Sequence, residues 1–219
     1  MNETITRTEP SAILRGTPII AVLRAKDAAD YAPVVDTLSE NGIRSIELTL
    51  STPNTIELLP DLLARTGPLV EIGVGTITGV GQARRAIDAG AAFLVTPVLD
   101  PEVIALAVRS RLPVYPGGLT PTELHSAWRA GATAVKIFPA ETVGAQYGKH
   151  LRGPFPELRF VPSGGVQLDD VAGWLSAGAT AVSLGGPLIG DALSGGSLAA
   201  LAERAARVIE IVGSLRSRT

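Results

Sequence analysis

Lys136 stands alone in an apolar run, Ala-Thr-Ala-Val-Lys-Ile-Phe-Pro-Ala over residues 132–140, and it is one of only three lysines in the 219-residue chain. The other two, Lys26 and Lys149, sit among polar neighbours where an ammonium stays hydrated. A charge flanked by Val135, Ile137 and Phe138 costs on the order of several kcal/mol unless it is paired or loses its proton. Desolvation favours the neutral amine, and a neutral amine is the species that attacks a carbonyl to form a Schiff base. The plain alternative is a lysine at a strand end reaching out to water. Glu47, in Ser-Ile-Glu-Leu-Thr over residues 45–49, is the matching acid. Beside an inward lysine it reads either as half of a buried ion pair or as a general acid/base moving protons for an imine on Lys136.

A second signal lies late in the chain. Val161-Pro162-Ser163-Gly164-Gly165-Val166 and Leu184-Gly185-Gly186-Pro187 each place a glycine pair after a short apolar run. Glycines let backbone N–H groups approach an anion closely, so Ser163, Gly164, Gly165, Gly185 and Gly186 are candidates for holding a phosphate. Metal chemistry has little to build on. The only histidines, His125 and His150, fall in predicted helices without ligand spacing, and there is no cysteine. No metal and no other cofactor is expected.

These residues need elements to position them. Short apolar, β-branched runs recur eight times: 19–23, 44–49, 70–74, 92–96, 113–115, 132–138, 159–162 and 179–184. Amphipathic helical stretches lie between them, among them 28–40, 54–65, 81–89, 121–129 and 169–177, with a last one at 197–215. Four end on a shared stop in which Gly42, Gly90, Gly131 and Gly178 stand where a helix C-cap needs positive φ. Eight strand–helix units favour an α/β fold of the (β/α)₈ TIM-barrel type over an open doubly wound sheet. No Gly-x-Gly-x-x-Gly follows the first strand, which argues against dinucleotide binding. Residues 8–16 are expected to form a short helix capping the barrel bottom, and 1–219 reads as one domain.

In such a barrel the site lies at the C-terminal ends of the strands. Alternation turns Ser45, Glu47 and Thr49 inward with Ala134, Lys136 and Phe138, and gives Arg24 the parity of Ile20 and Val22. Thr76 and Pro97 follow the third and fourth strands, so all converge on one mouth. Basic and acidic residues number 19 and 21, a formal charge of −2, which argues against a nucleic-acid binder. The opening MNETITRTEP has no apolar core for a secretory signal, and no apolar run is long enough to span a membrane. A soluble, cytoplasmic protein is expected.

The motifs PIIAVLR, SIELTLSTP, GVGTI, VTPVLD, YPGGLTPTEL, AVKIFPAETVGAQYGKHLRGPFP and FVPSGGVQLDDV, in this order, carry a resemblance over about residues 18–193. The chain resembles the class I aldolases acting on 2-keto-3-deoxy-6-phosphogluconate (KDPG) and 4-hydroxy-2-oxoglutarate (KHG). The resemblance implies a Schiff-base lysine at Lys136 and a general acid/base at Glu47. It places Thr76 and Pro97 along a pyruvate pocket, Phe138 against the imine, and Ser163 with the four glycines on the 6-phosphate. The implied substrate is a phosphorylated 2-keto acid cleaved to pyruvate and glyceraldehyde 3-phosphate, by a metal-free homotrimer. One position departs from the pattern. Many members carry an arginine four residues after the glutamate, where this chain has Ser51, and Arg24 is the cation that could meet the substrate carboxylate instead. Related enzymes for the 6-phosphogalactonate epimer share the AVLR and STP features. That specificity, KHG cleavage, a sugar-phosphate isomerase or epimerase, and a non-catalytic binding barrel are the competing readings.

Overall fold

The structure, a computed structural model, describes residues 7–217. Met1–Thr6, more than half of the segment read for a secretory signal, lie outside the described residues, as do Arg218 and Thr219. No helix among the described residues is long and apolar enough to cross a membrane.

The strands are β1 (Ile19–Leu23), β2 (Ser45–Thr49), β3 (Glu71–Gly75), β4 (Leu94–Val95), β5 (Val114–Tyr115), β6 (Gly117–Gly118), β7 (Val135–Ile137), β8 (Phe160–Pro162) and β9 (Val182–Leu184). The helices are α1 (Ala12–Gly16), α2 (Tyr31–Glu40), α3 (Thr55–Thr66), α4 (Val80–Asp88), α5 (Pro101–Arg109), α6 (Pro121–Arg129), α7 (Ala145–Arg152), α8 (Val171–Ser176), α9 (Gly186–Ile189) and α10 (Leu198–Arg216). All strand pairs are parallel.

The ladder runs in two pieces, β5-β4-β3-β2-β1-β9 and β6-β7-β8, where one eight-stranded ring was expected. Pro116 is the physical reason for one break. It has no N–H to donate, and it stands between β5, where the fifth run ends, and the additional segment β6, giving nine strand segments instead of eight. Isolated hydrogen bonds still cross both seams. Thr133 N donates to Val114 O at 3.0 Å, and Thr180 N donates to Phe160 O at 2.9 Å.

Alternation sorts the side chains into two layers. Ile46, Leu48, Val135 and Ile137 pack outward with the helices in the large core. Ile20, Phe93, Val95, Tyr115, Ala134 and Val161 form a second cluster on the inner side of the curl, and Leu14 of α1 packs into it. Helix α1 is shorter than the expected 8–16 because Ser11 caps it, accepting from Leu14 N at 2.9 Å.

Helix ends follow local chemistry. Thr120 and Glu123 form a reciprocal capping box at α6, and Pro121 fills its first turn, where an N–H is not needed. Gly42, Gly90, Gly131 and Gly178 all hold positive φ, between 88° and 105°, as the four shared stops require. Each turn then feeds the next strand from below, so the strand ends gather on one face.

Candidate active site

A cavity of about 430 Å³ opens at that face. All eleven residues assigned to the site from the sequence line it. Arg24, Glu47, Thr76 and Pro97 come from the first four strands or their ends, and Lys136 and Phe138 from β7 and the residue following it. Ser163, Gly164 and Gly165 follow β8, while Gly185 and Gly186 follow β9. Ser51 is not among the lining residues; its hydroxyl donates to Thr49 Oγ1 at 3.1 Å.

Lys136 is 7 % exposed and Glu47 2 %, so both charged groups are held away from bulk water. Neither enters an ion pair within the described residues. Burial pushes the Glu47 carboxyl above its ordinary value, and the positive charges of Lys136 and Arg24 pull against that without reversing it. Gly75 makes room for it: a Cβ on Gly75 would lie 1.9 Å from Glu47 Oε1. Among the described residues nothing donates a hydrogen bond to this carboxyl, which leaves its oxygens for a ligand.

The Phe138 ring lies over the amine, its centroid 4.9 Å from Lys136 Nζ, a distance at which ring and ammonium attract. Gly164 also packs close to the ring, since a Cβ there would meet it at 2.9 Å. Gly164 and Gly165 hold φ of 86° and 76°, consecutive left-handed residues that turn backbone toward the cavity. Ser163 is buried and donates to Ser183 Oγ at 3.3 Å. Thr76 carries φ 60°, a strained position for a β-branched residue, and it stands on the cavity wall. Pro97 is held through Thr96, whose hydroxyl accepts from Gly117 N at 3.3 Å and donates to Val98 O.

The sequence reading missed an apolar wall made by Val22, Pro187, Ile189 and Leu193, together with Gly190 and Ser194. Val22 shares the parity of Arg24 and could have been found by alternation. The others lie in an excursion after β9 that carries no periodic signal. His125 and His150 lie away from the cavity, in α6 and α7, and His125 stacks on Phe155 with centroids 4.6 Å apart.

A curled parallel α/β fold with a pocketed amine beside a buried carboxyl is that of a Schiff-base aldolase, a carbon–carbon lyase. Residues 11–203 match the family model "Aldolase: KDPG and KHG aldolase", and the chain belongs to this family. It is 34 % identical over 165 residues to the 2-dehydro-3-deoxy-phosphogluconate aldolase of Pseudomonas aeruginosa, covering 75 % of this chain and 74 % of that one. It is 33 % identical over 172 residues to the 2-dehydro-3-deoxy-6-phosphogalactonate aldolase of Escherichia coli, covering 78 % and 84 %. Among solved structures it is similar to the KDPG aldolase of Legionella pneumophila with pyruvate captured as a covalent carbinolamine. The TM-score is 0.83 at 30 % identity, covering 92 % of this chain and 98 % of that one.

Proposed function

We propose that this chain reversibly cleaves 2-keto-3-deoxy-6-phosphogluconate to pyruvate and glyceraldehyde 3-phosphate through an imine on Lys136. The observation that carries the reading is the placing of one buried amine and one unbonded, buried carboxyl in the same cavity. The neutral Lys136 amine attacks the C2 ketone, and loss of water gives a protonated imine. The C3–C4 bond then breaks, its electron pair flowing into the iminium as Glu47 takes the C4 hydroxyl proton. The aldehyde leaves, C3 of the enamine is protonated, and hydrolysis releases pyruvate and regenerates the amine. The iminium is the electron sink.

In this reading Arg24 meets the substrate carboxylate, Thr76 and Pro97 flank the pyruvate unit, and Phe138 packs on the imine. Ser163, Gly164, Gly165, Gly185 and Gly186 receive the phosphate. The two ladders act as one closed eight-stranded barrel with α1 as its lower plug, and the whole chain as one domain. The working form is a cytoplasmic homotrimer, for which light scattering should give three times the chain mass; a monomer mass removes that part of the reading.

Incubation with pyruvate and borohydride, followed by peptide mass spectrometry, tests the chemistry. A reduced adduct on Lys136 is expected, absent from Lys136→Ala. An unmodified wild-type protein would return the site to an isomerase or a binding barrel. A second specificity has its own support: the 6-phosphogalactonate aldolase relative is as similar as the phosphogluconate one. Comparing kcat/KM on the two C4 epimers and on KHG separates these substrates.

A further inference from the structure

The phosphate end of the cavity, as read above, is built from backbone and one serine hydroxyl, with no cation among the residues assigned to it. A cationic anchor of that wall lies outside the cavity. Arg204, near the start of α10, reaches across to the segment after β9. Its Nε donates to Leu188 O at 2.6 Å and its Nη2 to Ile189 O at 2.9 Å. Ile189 and the next residue, Gly190, both line the cavity. Gly190 holds φ 59°, and a Cβ there would lie 2.7 Å from Arg204 Nη2, so the chain is shaped around the guanidinium. Arg204 enters no ion pair among the described residues, unlike Arg65, Arg85, Arg159 and Arg207, which all face carboxylates. Within the described residues its guanidinium is spent on the two carbonyls. Arg204 also falls one residue past the stretch matched by the family model.

We propose that Arg204 is a positioning residue for the substrate phosphate. Its fork fixes the carbonyls of Leu188 and Ile189, which holds the backbone from Gly185 to Gly190 against the cavity. Its unpaired positive charge stands behind that backbone. The inference rests on the reading that the glycine loops receive the 6-phosphate. Arg204 touches neither the amine nor the carboxyl, so the chemical steps should not feel its loss.

The test compares KDPG with its unphosphorylated analogue, 2-keto-3-deoxygluconate, in wild type, Arg204→Gln and Arg204→Lys. Charge-assisted hydrogen bonds of this kind lead us to expect a KM for KDPG raised about 10- to 100-fold in Arg204→Gln, with kcat within about threefold. The constants for the unphosphorylated analogue should stay unchanged, and Arg204→Lys, which keeps the charge but not the fork, should fall between. Inhibition by inorganic phosphate should weaken in the same order. Equal losses on both substrates would show a merely structural residue and overturn the proposal, as would unchanged constants for KDPG. Should Arg204→Gln fail to fold, the ratio of the two KM values in Arg204→Lys decides in the same way. A wild-type enzyme indifferent to the phosphate would instead sink the phosphate-end reading and this proposal with it. Wild-type preference for KDPG that survives in both variants sinks the Arg204 proposal alone.

Discussion

Glu47 is a carboxyl group whose charge the fold resists. Its folded pKa lies above the ordinary value of 4.5, with burial the main cause. Between that value and the raised one, the folded state holds a proton that the unfolded chain has released. Stability therefore falls as pH rises through this window and is recovered below it. Glu47→Gln should raise Tm at neutral pH, and the difference should disappear below about pH 4.5, the unfolded reference. The same substitution removes the proposed proton acceptor, a loss expected at about 10² to 10⁴ in kcat. A variant that loses activity without gaining stability would mean the carboxyl is held by a favourable partner after all. Thr76 stores a second strain, at φ 60°. Asn tolerates this conformation better, so Thr76→Asn should fold at least as stably, by up to about 1 kcal/mol, while losing turnover. Arg24→Ala should raise KM for the pyruvate half by roughly tenfold or more if it is the carboxylate partner. Lys136 and Glu47 were legible because an ion inside an apolar, alternating run has few bland explanations. Ile189 and Leu193 were not, because apolar wall residues look like any core residue until a cavity is seen beside them.

The elements hold these side chains through close backbone contacts that a residue list does not reveal. Gly75 reads in the sequence as one more glycine in Gly-Val-Gly, yet its missing Cβ is the space Glu47 occupies. Gly75→Ala has an ordinary backbone to adopt, so the protein should stay folded while the carboxyl is displaced. A shift of this size in a reacting group costs on the order of 10²-fold in kcat, to be read beside an unchanged circular dichroism spectrum. Wild-type turnover in Gly75→Ala would mean that Glu47 has a second productive position. Helix ends were read well at the four glycine stops, which are local signals. Strand lengths were overdrawn: 132–138 became Val135–Ile137 and 179–184 became Val182–Leu184. An apolar run marks burial, whereas a ladder also requires a paired neighbour. Helices α5 and α7 were not named from sequence, although Asp100-Pro101 is a start signal, with Asp100 accepting from Glu102 N and Val103 N.

The whole molecule separates chemistry from stability along the strand axis. All eleven residues singled out for the site line the cavity at the C-terminal strand ends. Leu14, 1 % exposed, enters the inner cluster with Ile20, Phe93 and Tyr115, and none of these lines the cavity. The alternation of strand and helix made that direction legible in advance. The extra segment β6 was not, because a glycine pair after the run that ends at Tyr115 carries no apolar signal. If the inner cluster only supports the site, weakening it should cost stability and leave the chemistry alone. Leu14→Ala removes a buried side chain where the surroundings cannot collapse fully, a loss of about 2 to 5 kcal/mol. For a chain of this size that corresponds to a Tm lowered by about 4 to 20 °C. At 25 °C, well below the new midpoint, kcat and KM should match wild type. A fall in kcat with the protein still folded would show that packing at Leu14 reaches the amine and the carboxyl. The two ends would then be one cooperative unit, with no independent stabilising face.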